Sequence, residues 1–329
     1  MAKSQLGASY EHIISLENIL EAWREFVRGK RGRKDVQQFE LRLTSNVLAL
    51  QLDLRNKTYA HSAYEAFSIS DPKPRSIHKA SVRDRLLHHA LYRILYPFFD
   101  KTFIASSYSC RKEKGTHKAL NHFRRLAYQV SRNHTRTAWV LKCDVRKFFA
   151  SINQARLIRI LEGRIPDRDV LWLLTQIITS FQSTGNGLGL PLGNLTSQLL
   201  VNIYMNEFDQ FVKHTLKSKA YVRYADDFVL LSSDKAELEN VLPRISHFLW
   251  NDLHLVLHSD KVFIKTFASG VDFLGWVHFP DHRTLRTSSK RRIFRRIKQV
   301  DGKESTVQSY LGLLSHGNAY KLREQVKIS

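Results

Sequence analysis

The stretch Tyr221-Val222-Arg223-Tyr224-Ala225-Asp226-Asp227-Phe228-Val229-Leu230-Leu231-Ser232 joins two apolar runs through a pair of carboxylates. β-Branched and aromatic side chains favour strands on both sides, and Ala225-Asp226-Asp227 supplies a tight turn. The expectation is a hairpin over 221–232 with both carboxylates at its tip. Asp is a common turn residue, so the pair alone would say little. Its flanks say more, because adjacent carboxylates repel unless a cation neutralises them. A second apolar run, Ala138 to Val145, suits a buried strand and carries Asp144 near its end. A carboxylate there costs burial energy unless it is paired or holds a metal.

Hard oxygen ligands select Mg²⁺ or Mn²⁺ over softer-site metals. Two such ions roughly 3.5–4 Å apart can clamp the attacking 3′-oxygen and the leaving pyrophosphate of an in-line displacement. Asp144, Asp226 and Asp227 are therefore the candidate metal ligands and catalytic residues.

The charge of the chain points the same way. Among 329 residues, 52 Lys and Arg outnumber 30 Asp and Glu, leaving a net charge of +22. Such an excess implies a polyanionic partner, nucleic acid ahead of an anionic membrane. No apolar run approaches the roughly 20 residues that span a bilayer. The first residues lack the apolar core of a signal peptide. The two cysteines, Cys110 and Cys143, provide no disulfide framework and no Cys-rich zinc module. A reducing cytoplasm is the expected setting.

Outward from the two apolar runs, periodicity predicts helices over about 10–30, 36–55, 82–99, 116–130, 153–163, 167–181, 196–217 and 235–252. Residues 65–79 read as extended around Asp71-Pro72-Lys73-Pro74-Arg75, since each Pro disfavours helix in the residue before it. Thr184 to Asn194 carries four glycines and a proline and reads as a loop. Short strands are expected near 254–258, 261–266 and 272–279. A basic helix follows, with Ser288 or Ser289 as its cap. The fold class is α+β, a mostly antiparallel sheet with helices packed on it.

Tyr-X-Asp-Asp inside an apolar hairpin resembles the signature of reverse transcriptases, and the Ala form is frequent in their bacterial branch. Asp144-Val145-Arg146-Lys147-Phe148-Phe149 resembles the first catalytic motif of that family. Pro72-Lys73-Pro74-Arg75 with Arg83-Asp84-Arg85 resembles its fingers motif. Tyr108-Ser109-Cys110-Arg111 through Gly115-Thr116-His117, with Ala119-Leu120, resembles its second motif. Val271-Asp272-Phe273-Leu274-Gly275-Trp276 resembles its primer-grip hairpin. The likeness runs from about residue 65 to 320.

This resemblance implies a right-hand polymerase. Its parts would be an N-terminal helical extension (1–60), fingers (61–135 with part of 153–183), a palm (136–285) and a short helical thumb (286–329). It implies RNA-directed DNA synthesis with two Mg²⁺ ions, replaceable by Mn²⁺, on Asp144, Asp226, Asp227 and the backbone carbonyl of Val145. Phe149 becomes the aromatic gate that excludes a 2′-OH. Lys73 and Arg75 take the triphosphate, where Arg can fork onto phosphate oxygens. Lys261 lies near the nucleotide. The basic tail, through Arg291, Arg292, Arg295 and Arg296, suits the duplex backbone. Template RNA, the RNA/DNA duplex and dNTPs are the expected partners.

Within Gly189-Leu190-Pro191-Leu192-Gly193-Asn194-Leu195-Thr196-Ser197-Gln198, the family builds the floor under the nascent base pair. Many relatives place Gln before the second glycine and Pro after the Ser; this chain has Leu192 before Gly193, and Gln198. That form resembles the reverse transcriptases of diversity-generating retroelements, which misincorporate opposite template adenines. It implies a small basic accessory protein as a further partner and a bacterial or phage origin. Two alternatives stay open. One is a group II intron-like or defence-associated enzyme. The other is a non-catalytic RNA-binding protein of polymerase shape, against which the intact set Asp144, Asp226 and Asp227 argues.

Overall fold

The computed structural model describes residues 4–70, 74–183 and 185–328, so Lys73 lies outside the described residues. Strands β1 (Glu65–Ile69) and β2 (Arg75–Lys79) form a two-stranded hairpin. Strands β3 (Trp139–Asp144), β4 (Tyr221–Tyr224), β5 (Asp227–Ser232) and β6 (Phe263–Thr266) form an antiparallel sheet in the order β4-β5-β3-β6. Strands β7 (Val271–Phe273), β8 (Trp276–His278) and β9 (Arg283–Leu285) form a third sheet. The α+β reading holds, with antiparallel sheets and helices packed on them.

The chain divides into two compact units. One comprises Met1–Ile104, Arg146–Asp209 and Phe248–Val256; the other comprises Ala105–Val145, Gln210–His247 and Leu257–Ser329. The first boundary falls inside the stretch assigned to the fingers.

The second unit contains the four-stranded sheet. Val140, Leu141 and Cys143 of β3 are fully buried, and Lys142 nearly so. Burial on both faces explains why 138–145 reads as a mostly apolar run, interrupted by Lys142 and Asp144, rather than a regular alternation. The helix Thr116–Val130 packs on β4 and β5. Ala119, Leu120, Phe123, Leu126 and Ala127 recur along it at helical spacing and are buried. Phe123 meets the rings of Phe267 at 5.7 Å and Phe273 at 5.3 Å. Ile293, Ile297 and Leu314 join the same core. Gly317 lets the chain pass the buried Trp276, since a Cβ there would lie 2.0 Å from the indole Cζ3.

The first unit is mainly helical. The helix Leu16–Phe26 packs on Val82–Asp100. Ile19, Ala22, Trp23 and Phe26 are buried on it. Two helices expected as single rods are divided. Residues 10–30 form Tyr10–Ile14 and Leu16–Phe26, because the Ser15 hydroxyl accepts from Asn18 N at 3.2 Å and caps a new start. Residues 36–55 form Lys34–Glu40 and Leu43–Arg55, and Asn46 Nδ2 donates to the Phe39 carbonyl at the break, 2.9 Å.

Three further expectations are corrected. The helix expected over 196–217 is α-helical over Leu195–Gln210 and then widens into a π-turn, Phe211–Thr215. No strand forms at 254–258; the segment makes one isolated bridge, Val145 with Leu257, before a short 3₁₀ turn at Ser259–Lys261. The basic helix spans Thr287–Gln299, and its N-cap is Arg286 without a side-chain cap rather than Ser288 or Ser289. Strand β9 lies beyond the strands expected near 272–279.

Candidate active site

The β3–β5 register sets Asp144 directly opposite Asp227. Only Ala225 and Asp226 separate β4 from β5, so Asp226 sits in the turn. Ala225 adopts φ +55°, the left-handed region that a small side chain tolerates better than a branched one. The end of β3 is tied to this turn, since Val145 N donates to the Asp226 carbonyl at 3.2 Å. On its other side, His258 N donates to the Asp144 carbonyl at 2.8 Å.

Charge at the site is only partly balanced. Lys261 Nζ donates to Asp144 Oδ1 at 2.8 Å. Lys142 Nζ stands 3.6 Å from Asp227 Oδ1, beyond hydrogen-bond range, and that buried oxygen has no donor. Burial pushes the Asp227 carboxyl up to about 7; Lys142 opposes this, while Asp144, Asp226 and Asp272 add to it. A buried, donor-less carboxylate oxygen crowded by further carboxylates is the setting that a bound cation relieves. The residues therefore fit a divalent metal. Among the described residues no cage of three His, Cys, Asp or Glu ligands stands preassembled. Two ammonium groups face the carboxylates instead.

In the first unit, other sequence-predicted residues come together around the glycine-rich loop. Phe149 lies on the short helix Phe148–Ser151, half-buried, with its ring edge-on to buried Phe148 at 5.6 Å. Leu190 N donates to the Phe149 carbonyl at 2.9 Å, and Gly189 N donates to the Ile152 carbonyl at 2.8 Å. The same loop is pinned to β2. His78 N donates to the Leu192 carbonyl at 3.0 Å, and Asn194 Nδ2 donates to the His78 carbonyl at 2.8 Å. Gly193 has φ +110°, and a Cβ there would lie 2.8 Å from Ile77 Cγ2. Gln198 is half-buried one turn into Leu195–Gln210. Arg75 is exposed at the start of β2. On the helix Thr287–Gln299, Arg291, Arg295 and Arg296 are exposed and Arg292 is half-buried, while Ile293 and Ile297 are buried.

Two residues were passed over at the sequence level. Asn194 clamps β2 by side chain, and Arg223 lies fully buried inside β4. The available signal for Arg223 was a lone cation within an apolar run, three residues before a carboxylate pair.

The chain matches the family described as reverse transcriptase (RNA-dependent DNA polymerase) over residues 70–278. Protein YkfC of Escherichia coli (strain K12) is 28% identical over 261 residues, covering 67% of this chain and 66% of that protein. Group II intron-encoded protein LtrA of Lactococcus lactis subsp. cremoris is 27% identical over 276 residues, covering 64% of this chain and 44% of that protein. The matched part of this chain thus spans less than two thirds of the length of either relative. Telomerase from Candida albicans in complex with a TWJ fragment of telomeric RNA aligns with TM-score 0.51 at 11% identity, over 71% of this chain and 48% of that one. Apo telomerase from Candida tropicalis, truncated from the C-terminal domain, aligns with TM-score 0.50 at 12% identity, over 74% of this chain and 60% of that one. At such identities the likeness speaks for the right-hand polymerase fold alone. The family match covers well over half of the chain and includes both β3 and the carboxylate hairpin, and on that ground the chain belongs to the reverse transcriptase (RNA-dependent DNA polymerase) family.

Proposed function

We propose that this chain is an RNA-directed DNA polymerase, copying a template RNA into cDNA by two-metal nucleotidyl transfer. The observation that carries the reading is the β3–β5 register, with Asp144 opposite Asp227 and a buried Asp227 oxygen that has no donor. Asp144, Asp226, Asp227 and the Val145 carbonyl would hold two Mg²⁺ ions, or Mn²⁺ in their place. When bound, such ions offset the charge developing on the attacking 3′-oxygen and on the leaving pyrophosphate. The ring of Phe149 lies under the sugar and excludes a 2′-OH. Arg75, with Lys73, binds the triphosphate, and Lys261 serves close to the nucleotide. Leu192, Gly193 and Gln198 form the floor under the nascent pair. Arg291, Arg292, Arg295 and Arg296 hold the duplex backbone.

The finer assignment is to a diversity-generating retroelement in a bacterial or phage cytoplasm, working with a small basic accessory protein. Leu192 and Gln198 support it; the similarity to LtrA supports an intron-like branch instead. Primer extension by the purified chain tests both levels. DNA synthesis on an RNA template that requires Mg²⁺ or Mn²⁺ and stops with chelator is expected. Its absence, with RNA binding intact and on addition of the accessory protein and its template RNA, refutes the polymerase. Sequencing the cDNA then separates the branches, since errors concentrated at template adenines are expected only of the retroelement type.

A further inference from the structure

A cation buried in a strand is costly unless its donors are used. Arg223 is fully buried in β4, and its guanidinium reaches in two directions. Nη1 donates to the Ala225 carbonyl at 3.1 Å, and Nη2 donates to Ser107 Oγ at 3.0 Å. The backbone of the same residue is held from the same side. Arg223 N donates to the Ser106 carbonyl, and Tyr108 N donates to the Arg223 carbonyl, both at 3.0 Å. The 106–108 segment is itself fastened. Arg111 Nη1 donates to the Ser107 carbonyl at 3.0 Å, and Gly115 N donates to the Tyr108 carbonyl at 3.1 Å. One residue on, Thr116 Oγ1 donates to the Tyr224 hydroxyl at 3.1 Å.

These contacts converge on the carboxylate turn. Ala225 holds a left-handed φ, a conformation unfavourable for a non-glycine residue. Its carbonyl precedes Asp226 and Asp227. A shift of this peptide would swing both carboxylates, which must meet one cation together.

We infer that Arg223 is a positioning residue. Clamped by Ser107, its guanidinium fixes the Ala225 carbonyl and so holds Asp226 and Asp227 in the geometry that binds a divalent cation. The inference rests on the polymerase reading. It gives the second sequence motif, around Tyr108, the job of a buttress beneath the carboxylate turn.

The test uses the full chain with Arg223→Lys, Ser107→Ala and Ser107→Thr, and Asp227→Asn as reference. Mn²⁺ binding without substrate is measured by electron paramagnetic resonance. Thermal midpoint and kcat on a fixed primer–template are measured alongside. Ser107→Ala removes one buried acceptor of Arg223 while Arg223 keeps the turn contact, so this variant should fold, with a lowered midpoint. Its Mn²⁺ affinity should fall about three- to tenfold, a tenfold change being about 1.4 kcal/mol. Its kcat should fall in step, and Ser107→Thr should restore both. Arg223→Lys, which cannot fork to two acceptors, should lose more. Variants that lose thermal stability but keep parental Mn²⁺ affinity and kcat would overturn the positioning role. If the parent binds no more Mn²⁺ than Asp227→Asn and extends no primer, the polymerase reading itself falls and the inference falls with it.

Discussion

The hairpin β4–β5 is buried along nearly its whole length, whereas in β1–β2 every residue of β1 is exposed. Both are antiparallel, and each carries charged residues. The difference lies in support. Strand β5 is paired on both sides by β4 and β3, and the turn is braced from below by Arg223. An isolated two-stranded hairpin has only its own ladder and is marginal in water. Here β1–β2 is fastened at its base, where Lys79 meets Asp35 at 2.9 Å and Glu65 at 3.2 Å and Asn194 clamps His78. Metal ligands need positions fixed to fractions of an ångström, which the buried hairpin provides. The triphosphate contact proposed for Arg75 needs no such fixing, and Arg75 stands exposed at the start of β2.

The largest effect should come from the buried hairpin. Asp227→Asn keeps shape and removes the charge, so extension should fall on the order of 10³-fold or more. RNA binding should stay within about twofold, because the basic surface is untouched. Quantified extension and filter binding on the same protein check this. Near-normal turnover would mean that the rigid hairpin is scaffold, and the contrast with β1–β2 would dissolve.

Next comes Phe149, whose carbonyl accepts from Leu190 N and whose ring is half-buried. Because the backbone makes the tie to the loop, Phe149→Ala should spare it. Discrimination between deoxy- and ribonucleotides should drop by about 10²-fold, the scale of an interaction of roughly 2.7 kcal/mol. Competing single-nucleotide incorporations measure the ratio; an unchanged ratio would reduce Phe149 to packing.

On the exposed hairpin, Arg75→Ala should act mainly on affinity. A charge-assisted hydrogen bond is worth about 1.5–3 kcal/mol, so KM for dNTP should rise roughly ten- to a hundredfold. A kcat within a few-fold of the parent would match a binding role. A collapse of kcat at unchanged KM would place Arg75 with the rigid machinery.

The two units share one weakness. His88 in the first and His278 in the second are buried with neither ring nitrogen hydrogen-bonded, and burial first of all lowers both to about 3. Unfolding therefore takes up protons between about 3 and the ordinary value near 6.5. Stability is full above that value and declines as pH falls through the window, by about 1 kcal/mol per histidine between pH 6.5 and 5.5. Thermal midpoints at pH 7.5 and 5.5 should differ by a few degrees, and His88→Leu should narrow the gap. A gap unchanged in that variant would assign the acid weakness elsewhere.

How much the sequence disclosed follows the same contrast. The carboxylate hairpin and β3 were legible because burial on both faces leaves long apolar runs, and a tight turn leaves its own mark. The stretch 65–79 was legible as extended but not as a hairpin, since exposed strands need no apolar alternation. The tertiary fastenings were not legible at all. Ser107 lies 116 positions before Arg223, and His78 lies 116 before Asn194. Lys261 is likewise 117 positions from Asp144. Such pairs obey no periodicity, so local pattern cannot reveal them. The breaks at Ser15 and Arg42 were hidden because apolar spacing continues across each.

Leu192 carries the smallest and most selective expectation. Its carbonyl accepts from His78 N, and its neighbour Gly193 packs a backbone against Ile77. The loop is thus held by main chain, and the Leu192 side chain is free to vary without moving β2. If Leu192 lies under the nascent pair as proposed, its apolar group denies that pair one orienting amide. A hydrogen bond of that kind is worth roughly 0.5–1.5 kcal/mol net, or about two- to tenfold in discrimination. Leu192→Gln should therefore lower misincorporation opposite template adenine by about that factor, even at slower synthesis. Nothing in an apolar side chain selects adenine, so the base bias proposed for this enzyme would come from elsewhere around the template and should persist in reduced form. Sequencing cDNA made by both proteins on one template measures the shift. An equal fall at all four template bases would make Leu192 a general fidelity residue. No fall at all would return the exposed hairpin, and Arg75 upon it, to first place in explaining errors.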